Sequence, residues 1–302
     1  MTEPTSRELV HRAWKLGLAL PSFNVPHLPM MEPIIKALRD TGTMGQVAVA
    51  RVEWKRFAAG GPTPIFEEYQ RFKDERFVRL HLDHIPVVDE DQQRVDYVPL
   101  FTEALGLGYD SVMVDGSRLP LEENIAATHQ VVEMAQETGA AVEAELGAVL
   151  GHEAGPLPPY EELYESGRGF TDPGEARRFV QETGVDWLSV AVGNIHGAVS
   201  EAARSEKKVE ARLNLEHLAK LREAAGVPLV LHGGSGIKQE FVRAGFREGI
   251  AKINVGTNVR QAYEAALVKS VEAGRQAVYD EVVRLLVEEY QLAGSAERLR
   301  EG

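Results

Sequence analysis

The chain has 302 residues, 44% hydrophobic and 26% charged, a composition that suits a soluble globular protein with a full core. Its formal net charge of −13 argues against nonspecific nucleic-acid binding, so an anionic ligand requires positive charge concentrated locally. The absence of cysteine excludes disulfides, thiolate ligands and a cysteine nucleophile, leaving His, Asp and Glu to hold a metal.

Strand-like and helix-like segments alternate along the chain. The first strand is expected at Leu18–Val25, followed by a helix over Met30–Arg39. Gly45–Ala50 reads as strand two, with a helix over Pro64–Lys73. Phe77–Leu82 is strand three, followed by a helix over Val98–Leu105. Asp110–Val114 is strand four, then a helix from Leu121 to Thr138. Ala141–Glu145 is strand five, and Pro173–Glu182 a later helix that Asp172 can cap, with proline in its first turn. Trp187–Val192 is strand six, then a helix over Leu215–Ala225. Pro228–Leu231 and Ile250–Val255 are strands seven and eight, separated by a helix over Lys238–Glu248. Long helices run on to Leu292. The N-terminus lacks a basic region leading into an apolar stretch, and no run approaches the ~20 apolar residues of a membrane span, so a cytoplasmic setting without membrane partners is expected.

Eight β/α units in one run point to a single (β/α)8 TIM-barrel domain over residues 1–302, with extra C-terminal helices. A doubly wound open sheet is the alternative. Polar residues recur after nearly every strand rather than at one switch point, which favours the barrel. Two segments break the rhythm, Leu146–Thr171 and Ala198–Lys208. Connections of that length in a compact domain serve as lids or binding loops, or are disordered.

Asp83 and His84, Asp115, Glu145, His196 and His232 each follow a short β-rich run. In a barrel the strand C-termini converge on one mouth, so these groups can meet there. Three histidines with carboxylates look like a metal-dependent site, because zinc favours imidazole and its catalytic sites keep an open position. Structurally satisfied histidines are the other reading of the same spacing; the chain has nine, and His81, His152 and His217 read as ordinary ones. Asp83 and His84 start on opposite sides of an extended backbone, so a turn is needed to bring both to the mouth. Two glycine-containing turns, His232-Gly-Gly-Ser-Gly-Ile237 and Asn254-Val-Gly-Thr-Asn258, follow strands seven and eight. There, backbone N–H groups and a helix N-terminus can cradle a phosphate.

Taken together, these motifs resemble the class II, metal-dependent ketose-bisphosphate aldolases. The resemblance runs from Pro21-Ser-Phe-Asn-Val25 to Gly294-Ser-Ala-Glu-Arg298. It rests on His81-Leu-Asp-His84, Ser111-Val-Met-Val-Asp-Gly-Ser117, Val142-Glu-Ala-Glu-Leu-Gly147, Thr171-Asp-Pro173, Gly193-Asn-Ile-His-Gly197, Leu229-Val-Leu-His-Gly-Gly-Ser-Gly236 and Lys252-Ile-Asn-Val255. The resemblance implies catalytic Zn2+ on His84, His196 and His232, with Asp115 and Glu145 at an alternative outer metal position. It implies that Asp83 moves the proton at the nascent aldehyde oxygen and that Glu153 moves the one at the enediolate carbon. Asn24 and Asn254 match substrate contacts. Gly197, Gly233, Ser235 and Thr257 match the phosphate pocket of dihydroxyacetone phosphate, beside which relatives often hold a monovalent cation (Na+ or K+). The implied partner is a small sugar phosphate, and the implied assembly a homodimer or homotetramer.

The chain also departs from the family. Gln46-Val-Ala48 stands where Gln-Val-Ser is usual, Ile85-Pro86 follows the His-Leu-Asp-His motif in place of glycine, and Gly256 replaces a frequent acidic residue. The Lys common shortly after His-Gly is absent at Ser200, with Lys207 and Lys208 further along. The arginine segment that reads the far phosphate has no clear match, leaving Arg260 and Arg275 as candidates. Arg51-Val-Glu-Trp-Lys-Arg56 reads as a solvated helix start or as part of a rebuilt pocket. The expected activity is reversible cleavage of fructose 1,6-bisphosphate or tagatose 1,6-bisphosphate, or of a sugar phosphate with a different aldehyde half. A noncatalytic partner subunit of an aldolase and a metal-dependent hydrolase are the competing readings.

Overall fold

The computed structural model describes residues 3–147, 160–194, 211–234 and 236–301. Glu153, His196, Gly197 and Ser235 lie outside the described residues, as do His152 and the stretch 198–208.

Eight parallel strands close into a barrel in chain order. They are β1 (Leu20–Asn24), β2 (Gly45–Ala50), β3 (Val78–Pro86), β4 (Ser111–Asp115), β5 (Ala141–Leu146), β6 (Trp187–Val190), β7 (Leu229–Leu231) and β8 (Ile250–Val255), and β8 pairs back onto β1. The fold is therefore the TIM barrel and not the open sheet. Helices α1 (Ser6–Leu16), α2 (Met31–Asp40), α3 (Arg51–Arg56), α4 (Pro62–Phe72), α5 (Val98–Leu107) and α6 (Leu121–Gln136) precede or follow the first four strands. Helices α7 (Tyr160–Ser166) and α8 (Pro173–Thr183) separate β5 from β6, while α9 (Leu215–Ala225) and α10 (Gln239–Arg247) flank β7. The chain ends in α11 (Thr257–Leu267), α12 (Val271–Arg284) and α13 (Ser295–Glu301). As expected, Asp172 caps α8, accepting from the Glu175 N–H at 2.9 Å.

Three helices were not expected: α1, α7 and α13. Helix α1 carries a legible start signal, the capping box in which Thr5 accepts from the Glu8 N–H and Glu8 accepts from the Thr5 N–H. Its Leu9, Val10 and Ala13 are fully buried against Leu20, Met44, Ala141, Trp187 and Val230 of the barrel, together with Ala296 and Leu299 of α13. A leucine or valine so buried contributes roughly 1.5–3 kcal/mol. Arg12 completes this floor by donating to the carbonyls of Leu299 and Arg300, both at 2.8 Å.

The opposite end is the mouth, and β3 shapes it. The β3–β4 register slips between Leu82 and Ile85, and His84 adopts a φ of 33°, a left-handed backbone that few residues other than glycine enter. This bulge extends β3 to Pro86 and supplies the turn needed to aim Asp83 and His84 into one site.

Candidate active site

Inside the barrel, polar side chains recur two residues apart on single strands: Ser22 and Asn24, His81 and Asp83, Glu143 and Glu145, Lys252 and Asn254. All eight are buried except Asn254, which is partly buried. A period of two puts each pair on one face of its strand, here the inward face, with the second member nearer the mouth.

Asp83 sits at the centre. Asn24 donates to one of its carboxylate oxygens at 2.9 Å and Asn254 to the other at 2.8 Å. The Asn24 amide also donates to Glu53 at 3.3 Å, and the Ala50 N–H donates to the same Glu53 oxygen at 2.8 Å. Burial works to raise the Asp83 pKa, but His84, His81, His232 and Lys252 outweigh it and hold the group well below the usual carboxylate range. Glu53 shows the opposite result. Burial, reinforced by the Asp83 charge, pushes it up to about 8. One site thus holds an ionised carboxylate and a protonated one within reach of a shared amide.

His84 and His232 face each other with Nε2 and Nδ1 2.6 Å apart. Each ring is held by its own carboxylate. His84 Nδ1 donates to Asp115 at 3.2 Å, and His232 Nε2 donates to Glu143 at 2.8 Å. Burial opposes protonation of His84, yet Asp83, Asp115 and Glu145 overcome it and push the group up to about 10. Burial and the neighbouring His84 charge drive His232 down. Asp115 is held low despite burial, by His84 and by the Ser117 hydroxyl and N–H, whereas burial and Asp115 push Glu145 up to about 8. Glu145 lies 3.8 Å from His232 Nδ1.

Beneath this layer Glu143 accepts three bonds: from His232, from the Trp187 indole at 2.6 Å and from the Lys252 ammonium at 2.8 Å. Lys252 also donates to Asn254 Oδ1 at 2.5 Å. His81 is not the ordinary histidine the sequence suggested. It is fully buried, with Nδ1 2.9 Å from the Ser111 hydroxyl and Nε2 3.6 Å from Asp83. On the far side, Asn194 donates to the His232 carbonyl at 2.9 Å and so pins the β7 end. Gly233 has a φ of 66°, which lets the chain turn immediately after His232. Thr257 is the first residue of α11, so the end of β8 runs directly into a helix N-terminus.

The chain as a whole is similar to known proteins. The model of the class-II fructose-bisphosphate aldolases matches residues 4–298. The chain belongs to the class II fructose-bisphosphate aldolase family. A 6-phospho-5-dehydro-2-deoxy-D-gluconate aldolase from Halalkalibacterium halodurans is 36% identical over 232 residues, 72% of this chain and 71% of that protein. A fructose-bisphosphate aldolase from Streptococcus pyogenes serotype M3 is 32% identical over 282 residues, 91% and 87% of the two chains. The X-ray structure of the YdjI aldolase from Escherichia coli K12 matches with a TM-score of 0.75 at 26% identity, covering 98% of this chain and 100% of that one. This class II aldolase is accordingly a lyase, and none of its described helices is long and apolar enough to cross a membrane.

A divalent cation is implied by the family, and the donor set fits one. His84 Nε2 and His232 Nδ1 lie 2.6 Å apart, a distance at which they share a proton, and with that proton displaced their lone pairs are free to face one cation. Carboxylates behind both rings orient those lone pairs, as the outer partners of metal-bound histidines do. Asp83, His84 and His232 can offer one ligand atom each within a common 4.8 Å. A second such group, His81, Asp83 and Glu143, already has a cation beside it in the Lys252 ammonium.

The structure of this aldolase brings together Asn24, Asp83, His84, Asp115, Glu145, His232 and Asn254, all expected from the sequence. Arg260 is tied to Glu264 at 2.7 Å and stacks on Phe57, and Arg275 pairs with Glu32. The Arg51–Arg56 stretch is a helix, but its start is not solvated. Arg51 binds Asp89 at 3.2 Å, and Glu53 is turned into the site. Glu53, Glu143, His81, Lys252 and Asn194 are the residues that sequence reasoning missed.

Proposed function

We propose that this chain is a zinc-dependent aldolase that reversibly cleaves a ketose phosphate into dihydroxyacetone phosphate and an aldehyde. The observation that carries this reading is Asp83, an ionised carboxylate held by two carboxamides directly beside the His84–His232 pair. His84 and His232 would hold the metal, with His196 as the third ligand that the family resemblance supplies and with Asp115 or Glu145 at an outer position. Bound there, zinc supplies Lewis acidity toward the negative charge that develops on a ketone-derived oxygen.

The protein's own groups supply the rest. Asp83 takes the proton from the hydroxyl that becomes the aldehyde and returns it in the synthetic direction. Its low pKa keeps it ionised and ready to accept. Asn24 and Asn254 fix both of its oxygens and offer amide contacts to substrate hydroxyls. Glu153 moves the proton at the donor carbon, a role that rests on the resemblance. The Gly233 turn and the α11 N-terminus at Thr257 receive the phosphate of the donor half with Gly197 and Ser235, and a monovalent cation beside that phosphate belongs to the same reading. A homodimer or homotetramer in the cytoplasm is the setting this reading favours.

The aldehyde half has two readings. Fructose 1,6-bisphosphate and tagatose 1,6-bisphosphate fit the family name. The engagement of both arginine candidates, Arg260 with Glu264 and Arg275 with Glu32, favours an aldehyde without a far phosphate. So does a relative named for a phosphorylated sugar acid. The deciding experiment follows exchange of the hydroxymethyl proton of dihydroxyacetone phosphate in heavy water by NMR, with zinc and then with chelator. Chelator-sensitive exchange supports the reading, and an aldehyde screen then separates its two versions. No exchange in folded, zinc-loaded protein refutes it.

A further inference from the structure

Lys252 is completely buried, on the inward face of β8 one tier below the mouth. A lysine is taken that far from water only if its charge is paired and its donors are used. The first partner is Glu143 at 2.8 Å, and the second is Asn254 Oδ1 at 2.5 Å. Neither partner touches the other across the site. Glu143 leads to His232 and Asn254 leads to Asp83. We propose that Lys252 is the positioning residue of this site, its ammonium setting at once the tautomer of His232 and the direction of the Asn254 amide beneath Asp83.

The argument is one of donor and acceptor types. A carboxamide is nearly symmetric in shape, and either end of Asn254 fits the space. An ammonium donates and never accepts. It therefore takes the Asn254 oxygen and turns the NH2 toward Asp83, which needs a donor. The reverse orientation would place two acceptors against each other at 2.8 Å. On the other branch, Lys252 and the Trp187 indole both bind Glu143 Oε2, which leaves Oε1 for His232 Nε2. With its proton on Nε2, His232 presents the Nδ1 lone pair to the mouth, where it meets His84. The same cation thus keeps a metal-type nitrogen and a proton-carrying carboxylate in working orientation, although it reaches neither. This inference rests on the proposed function, its zinc arm on the metal site and its kinetic arm on the aldolase chemistry.

Lys252→Met alone strands a buried carboxylate and is expected to weaken the fold, so the informative variant is the charge-balanced Lys252→Met/Glu143→Gln. Zinc affinity is measured by competition with a chromophoric chelator, and exchange of the dihydroxyacetone phosphate proton is measured in parallel. In the folded double variant, zinc binding is expected to weaken about 10–100-fold, as for lost outer partners of metal ligands. Exchange is expected to slow by about 100-fold, the scale of a small misplacement of catalytic groups. Asn254→Ser cuts one branch only, so its zinc affinity stays within about threefold of wild type while exchange falls. A folded double variant with wild-type zinc affinity would overturn the proposal. So would equal loss of zinc by Asn254→Ser, which marks general loosening rather than two separate bonds. Should the wild type itself show no exchange, the aldolase reading falls, and the zinc comparison still decides the role of Lys252.

Discussion

Replacing Glu53 with glutamine should make the metal-free protein less sensitive to alkaline pH. Glu53 is buried beside Asp83, and its pKa rises from an ordinary 4.5 to about 8. A folded-state pKa above the unfolded value means that the native protein holds a proton the unfolded chain releases. The group's contribution is therefore fully present below pH 4.5, is lost as pH climbs through 8 and stays lost above it. Linkage gives a cost of ~1 kcal/mol near pH 5 and ~5 kcal/mol near pH 9, so the two conditions differ by about 4 kcal/mol. Glutamine keeps an oxygen for the Ala50 N–H and cannot ionise. The assay is urea denaturation of wild type and Glu53→Gln in the presence of chelator at both pH values. The difference between the proteins should grow by several kcal/mol toward high pH. Glu145 and the other site groups are common to both and cancel. A difference independent of pH would mean that Glu53 is ionised throughout, and the pairing of a charged with a neutral carboxyl at this site would be wrong.

Two further outcomes follow from the same geometry. His84→Ala removes the nitrogen 2.6 Å from His232 Nδ1 and should lower zinc affinity by more than ~100-fold, with loss of chelator-sensitive exchange; a variant that keeps its zinc after dialysis would remove His84 from the metal site. Trp187→Phe deletes the indole bond to the Glu143 carboxylate and should cost about 1.5–3 kcal/mol in denaturant unfolding, the range for hydrogen bonds to charged groups; an unchanged midpoint would show that Lys252 and His232 alone satisfy Glu143.

The strands and the upper layer of the site were legible for the same reason. Strand ends in this barrel carry polar residues straight after apolar runs, so Asp83, Asp115, Glu145 and His232 stood out. The lower tier was hidden because its members lie within strands, where a polar residue ordinarily faces solvent. His81, Glu143 and Lys252 each precede a site residue by two, and that repeated spacing was the available signal. It meant that both residues point the same way into a closed barrel. Glu53 was masked by its neighbours, since the cations around it made the whole stretch look solvated. The missed α1 had its capping box in plain sequence, whereas the His84 bulge left no sequence trace beyond the geometric need for a turn. The distal specificity of the site was not legible because Arg260 and Arg275 are assigned by their partners, Glu264 and Glu32, and not by their own identity.

The floor of the barrel has a consequence for how the chain is made. Helix α1 packs against α13, and Arg300 binds Glu3 through both guanidinium arms at 2.7 Å. Nearly the whole chain separates these contacts, and a ribosome moving at about 5–20 residues per second needs roughly 15–60 s to cross it. Through that interval Leu9 and Val10 have no α13 to cover them. The packing of α1 against α13 over Trp187 therefore closes only after α13 has been made.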